Sequence, residues 1–206
     1  MNILTSVWLH PKKTVRHMIE NRLLRLAIVL VAVAGFFGAF VPAADPTMYG
    51  DFDEDVFTIE PASFVELLLS GLFSAVFTVI VMFVVVGFIF LFGKLFKGQG
   101  TYWDVFQASA LAVVPTLVIG VVGFVWAAFS IQSFNDFSSS NPMVIIYGLL
   151  SFVLGIWAFV ISVAALAEAN RYSNWRAFFT LMLPTLILIL IIVAIVVFVI
   201  SLFVVG

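Results

Sequence analysis

The chain has 206 residues, of which 64% are hydrophobic and only 10% charged. An average soluble domain has about 25% charged residues, so this composition identifies an integral membrane protein. The absence of cysteine excludes disulfides, thiolate chemistry and Cys-based metal sites, and two histidines, both near the N-terminus, argue against a multi-His metal centre.

The predicted architecture is all-α. It has five transmembrane helices and an N-terminal interfacial amphipathic helix, in a single membrane domain over 1–206. Residues 1–23 read as the surface helix. Pro11 suits a first helical position, and Val15, Met18, Ile19 and Leu23 form an apolar stripe at i, i+3, i+4, i+8. Lys12, Lys13 and Arg16 fall on the polar side, where they are expected to hold the helix to anionic lipid.

The first span covers 24–41 and stops at Pro42. The loop over 43–62 is acidic and contains no Lys or Arg. Its Asp51, Asp53 and Asp55 stand at positions one, three and five of an EF-hand pattern, but position six is Val56 and position twelve is Ala62. A calcium loop needs Gly and Glu there, so the expectation is a solvated acidic loop and no metal site.

The second span, over 64–96, is about 50 Å long at 1.5 Å per residue, more than a bilayer's hydrocarbon thickness. It must tilt, bend near Gly71 or Gly87, or project beyond the membrane. Gly98-Gln99-Gly100 then permits a tight reversal. The third span, over 101–130, opens with Thr101 as N-cap and Asp104 in the first turn, and Pro115 should kink it.

The fourth span covers 142–169. Gly148, Ser151, Gly155, Ala158, Ser162, Ala165 and Ala169 recur at alternating spacings of three and four. Small residues let helix backbones approach closely in lipid. This face is therefore expected to be a packing seam, with Ser151, Gly155, Ala158, Ser162 and Ala165 at its heart, and the helix is expected to be central. Glu168 at its end has two readings: a surface pair with Arg171 at i+3, or a contact across helices to Lys97 or Arg176. The fifth span covers 174–205 and carries Pro184.

All nine basic residues fall in the N-terminal segment, the second loop or the fourth loop. Positive-inside then predicts a cytosolic N-terminus and an outer C-terminus. The starts of spans three and five share a form: Thr101-Tyr102-Trp103-Asp104-Val105-Phe106 and Ser173-Asn174-Trp175-Arg176-Ala177-Phe178, each followed by Pro-Thr-Leu. Two parallel hairpin repeats would produce this, and so would independent recurrence of caps, interfacial Trp and membrane prolines.

Catalysis needs an activated nucleophile, a metal set or paired carboxylates, and none of these patterns is present in the chain. No charge falls at mid-span, where an ion or proton transporter usually carries one. Trp and Arg are favoured interface anchors, so Trp103, Trp175 and Arg176, together with Glu168, are the candidate partner-binding residues. An aromatic-belt role for both Trp residues is the competing reading.

Trp8 to Thr14 in the form W-x-x-P-x-x-T, the five spans, GQGTYWDVFQASALAVVP and ALAEANRYSNWRAFFTLMLP together resemble the Yip1-domain family, in its bacterial branch. Eukaryotic members of that family are trafficking proteins that bind small GTPases, and some bacterial members accompany ABC-type exporters. The resemblance implies no catalytic residue and no cofactor. The resulting expectation is a non-enzymatic scaffold or accessory subunit in a bacterial cytoplasmic membrane. It would bind lipids and other membrane proteins, an ABC-type exporter among the candidates, and no nucleic acid. The alternative is a small transporter or channel with a path between the two hairpins near Pro115 and Pro184.

Overall fold

The computed structural model describes residues 2–42, 62–136 and 141–205, and the acidic loop lies outside these. Its elements are α1 (Ile3–Ser6), α2 (Pro11–Glu20), α3 (Leu24–Gly38), α4 (Phe64–Leu95), α5 (Tyr102–Leu111), α6 (Val113–Phe129), α7 (Ile131–Phe134), α8 (Pro142–Ala169) and α9 (Asn174–Val205). Among the described residues, three helical stretches are long and apolar enough to cross a membrane: Phe64–Leu95, Tyr102–Phe129 and Pro142–Ala169. Leu24–Gly38 is apolar but shorter.

Helix starts follow the expected chemistry. Ser63 caps α4 reciprocally with Glu66, and Thr101 caps α5 reciprocally with Asp104, so each side chain satisfies a free backbone N–H at the other's position. Asn141 caps α8 through the Met143 N–H, with Pro142 at the first helical position. The expected third span is two helices, α5 and α6, broken at Ala112. Pro115 explains the place of the break. It has no N–H for the Leu111 carbonyl, and its ring presses on that carbonyl. The Ala112 N–H turns to Ser109 O instead, at 3.1 Å. The long α4 runs unbroken past Gly71 and Gly87.

The helices α4, α5, α8 and α9 form a cycle: α4 packs on α5, α5 on α8, α8 on α9, and α9 back on α4. So α5 and α9 stand across from one another and share no extended contact. Two hairpins related by an axis along the membrane normal would give this order.

Two helices share the middle of the bundle: α8, the fourth span expected to be central, packs against α2, α5, α6 and α9, and α3 packs against α4, α5 and α6. Backbones come close at α3. A Cβ on Gly35 would stand 2.7 Å from Thr78 Cβ and 2.9 Å from Ser74 O. A Cβ on Gly120 would stand 2.7 Å from Phe37 Cβ. The core has two parts. One, at the end where α4 and α8 finish, joins Val15 and Met18 of α2 to Val105, Phe106, Leu111, Ile161 and Leu166. The other, at the opposite end, gathers Phe40, Ile119, Trp126, Phe134 and Tyr147.

On α8, only the last part of the small-residue seam is enclosed. Ala165 is fully buried, and Ser151, Ala158 and Ser162 are half-buried. Gly148 and Gly155 have nothing within 4 Å of a built Cβ, so these two positions of the seam face outward. The apolar stripe of α2 also differs from expectation. Thr14, Val15 and Met18 are completely buried, against α5 and α8 rather than against a lipid surface.

Candidate functional site: the basic end of the bundle

Three helices, α2, α4 and α8, finish at one end of the molecule, and all three finish in the same way. Beyond the C-cap stands a basic residue with left-handed backbone: Arg22 at φ 51°, Lys97 at φ 61° and Arg171 at φ 55°. In each turn, two backbone N–H groups return to the helix. Arg22 N–H meets Ile19 O at 3.1 Å and Leu23 N–H meets Met18 O at 3.0 Å. Lys97 N–H meets Lys94 O at 3.0 Å and Gly98 N–H meets Gly93 O at 2.9 Å. Arg171 N–H meets Glu168 O at 3.2 Å and Tyr172 N–H meets Ala167 O at 3.0 Å.

These are Schellman caps, which satisfy orphan carbonyls and usually place Gly at the left-handed position. A side chain there costs about 1 kcal/mol or more. A cation beside the negative end of the helix dipole offsets part of that cost, by about 0.3–1 kcal/mol. Sequence reasoning missed all three, because the usual signal, a Gly at that position, is absent.

The second and third turns interlock. Gln99 N–H donates to Asn170 O at 3.0 Å. Asn170 is buried, and its Nδ2 donates to Leu166 O at 3.3 Å. The glycines of the reversal fit around it. A Cβ on Gly98 would stand 2.5 Å from Asn170 Oδ1, and one on Gly100 would stand 2.5 Å from Ala169 O. Lys94 Nζ clamps the reversal, donating to Gly98 O at 3.1 Å and Gly100 O at 2.9 Å while sitting 5.0 Å over the Phe90 ring. Tyr172 donates to Thr180 Oγ1 at 3.0 Å, which in turn donates to Arg176 O at 2.7 Å, and burial pushes the Tyr172 phenol pKa up.

The helix α2 is tied to this end by an ion pair. Arg16 meets Glu168 Oε1 through Nη2 at 2.6 Å and Nε at 2.7 Å. Glu168 therefore pairs with neither Arg171 nor Lys97 nor Arg176. The Arg16 guanidinium engages a carboxylate of α8 in place of a lipid headgroup, and that hydrogen bond raises its pKa. The pair joins residues far apart in sequence, so no local spacing could have signalled it. Lys12 and Lys13 remain exposed on the outer face of α2.

The two tryptophans lie on opposite sides of the cycle, Trp103 on α5 and Trp175 on α9. Trp103 packs edge-on against Phe83 and Tyr102 and is 48% exposed. Trp175 stacks on Phe179, stands edge-on to Phe178 and is 71% exposed. Arg176 beside it is exposed. Among the described residues, no three His, Asp or Glu side chains come together as a metal site. The cavity at Pro184 is a groove between α9 and α4, and Pro115 does not line it.

This arrangement is a multi-pass transmembrane helical bundle whose chemistry is gathered in turns at one end, and the chain is an integral membrane protein. The Yip1 domain matches residues 5–196, and the chain belongs to the Yip1 family, in general a family of non-enzymatic membrane proteins. No curated protein and no solved structure matches it.

Proposed function

We propose that this protein is a non-enzymatic membrane scaffold or accessory subunit that holds another membrane protein complex, an ABC-type exporter being the candidate, against its basic end. In this reading it spans a bacterial cytoplasmic membrane five times, with α3, α4, α5–α6, α8 and α9 as spans. The N-terminus is cytosolic, and α2 rests at headgroup level with Lys12 and Lys13 toward anionic lipid. The observation that carries the reading is the exposed pair Trp175 and Arg176, at the edge of an end made rigid by interlocked turns. Large aromatics and Arg dominate interface energies when a partner covers them. Trp103 offers a second, separate anchor on the opposite side of the cycle. The transporter alternative has no observation in its favour, since Pro184 lines an apolar groove and Pro115 is buried in α6.

Photoreactive groups placed at Trp103 and Trp175 in living cells test the proposal. A reproducible protein adduct at either position supports it, and lipid adducts alone at both would overturn it. The orientation is tested by adding single cysteines to this Cys-free chain. One at Gln132 should react with an impermeant reagent outside intact cells, and one at Gln99 should not.

A further inference from the structure

We propose that the partner docks on the basic end through an acidic segment of its chain, whose carboxylates are held by Arg22, Lys97 and Arg171 and whose apolar side chains meet Trp175. This names the chemistry of the partner and rests on the scaffold reading. Each of the three cations holds left-handed backbone at a position where glycine is the favoured residue. Three helix ends thus accept a conformational cost that glycine would remove, and each carries a positive charge there. All three residues are exposed, and among the described residues none of their side chains makes a hydrogen bond or ion pair within the chain. Strain kept at a surface without an internal partner is a mark of binding. Setting the orientation in the membrane does not require it, because that rule asks only for cations somewhere in these loops. Gln99 and Ser173, exposed in the same loops and free of left-handed backbone, would carry such charges without the cost.

The turns that carry these charges are fixed to one another. Gln99 N–H donates to Asn170 O at 3.0 Å, which binds the turn of Lys97 to the turn of Arg171. The helix α2, which ends at Arg22, is tied to α8 by Arg16 and Glu168, and Glu168 stands three residues before Arg171. Trp175 follows Arg171 by four residues, at the start of α9, and is 71% exposed. The acids of this end are spoken for. Glu168 is held by Arg16, Asp104 by the α5 cap, and the charge of Glu20 acts on Arg16. The end therefore presents positive charge without internal compensation, on turns that lose little freedom when a ligand binds. Pre-organised cations beside a large exposed aromatic are the composition of a protein interface, and carboxylate is the anion that a protein partner supplies.

The test uses purified full-length protein in nanodiscs of zwitterionic lipid, where both membrane faces are accessible and orientation does not enter. The probe is a soluble helical peptide with glutamate and leucine on one face, compared with the same peptide carrying glutamine for glutamate. The glutamate peptide should bind several-fold more tightly, and the advantage should fall as salt is raised. The triple variant Arg22→Gly, Lys97→Gly, Arg171→Gly should abolish the advantage while its melting temperature stays level or rises. The variant Lys12→Gln, Lys13→Gln, Arg25→Gln removes as many charges from the same end and should keep most of the advantage. Equal binding of the two peptides overturns the proposal, and so does an advantage lost to the same extent in both triple variants. A clear fall in the melting temperature of the glycine variant also overturns it, by showing that the cations serve the fold. Displacement of the glutamate peptide by anionic lipid in the nanodisc does so too, by making headgroups the occupant. In living cells, a protein adduct from a photoreactive group at Trp175 that persists in the glycine variant would overturn the acidic segment and leave the scaffold reading standing.

Discussion

Gly35 and Gly120 belong to the packed interior of the molecule, and Gly148 and Gly155 to the exposed surface of α8. All four sit in apolar helices, and all four invite the same inference of close packing in lipid. Around Gly35 and Gly120 the neighbouring helices come so near that a methyl group would overlap Thr78 or Phe37. Around Gly148 and Gly155 there is nothing within 4 Å. A small residue permits an approach but does not cause one. The approach happens at α3 where it packs against α4, α5 and α6, while its Val29 and Val33 stay exposed. Phe36, Phe37 and Phe40 interlock there with Phe64 and Phe124, rings meeting at 4.9–6.0 Å between centroids.

The largest test of this contrast is Gly35→Leu. The side chain has no room beside Ser74 and Thr78, so overpacking should lower stability in detergent by about 3 kcal/mol, or prevent folding. A thermal melt close to wild type would show that α3 is loosely held. Next comes Gly100→Ala in the interlocked turns. Its methyl group meets Ala169 O, and a loss of about 1–2 kcal/mol is expected. A smaller effect of opposite sign is expected for Lys97→Gly. It relieves left-handed strain, worth about 1 kcal/mol or more, and gives up the cation's favourable interaction with the helix dipole, about 0.3–1 kcal/mol. The melting temperature should stay level or rise, and a clear fall would mean that the charge outweighs the strain. The smallest effect is expected for Gly155→Leu. Its new side chain enters open space, so the melt should be unchanged in protein purified as a monomer. A large destabilisation there would place a packing surface on that face after all.

The basic end shows where reading the chain alone runs out. Thr101 with Asp104 was legible as a cap, because both partners lie within one helical turn. The break at Ala112 follows from Pro115, three residues on, by local sterics. Glu168 was legible as a residue of interest, but its partner Arg16 was not, since the pair depends on α2 docking against α8. The left-handed Arg22, Lys97 and Arg171 were hidden for a different reason. Their side chains give no hint of that backbone state, and only the returning hydrogen bonds require it.

By itself, the sequence determined the membrane class, the helices and most of their limits, the caps and the clustering of positive charge. These depend on composition and on interactions within a few residues, which act before any helix meets another. Tertiary structure alone decided that α3 packs between α4, α5 and α6, that the stripe of α2 is buried in protein, that Gly148 and Gly155 of the α8 seam are open, and that Pro184 lines a groove with α4. In a chain that is 64% hydrophobic, nearly every helix face is apolar enough to meet either lipid or protein. Hydrophobicity then cannot choose the partner of a face, and the fit of glycine backbones against particular side chains makes the choice.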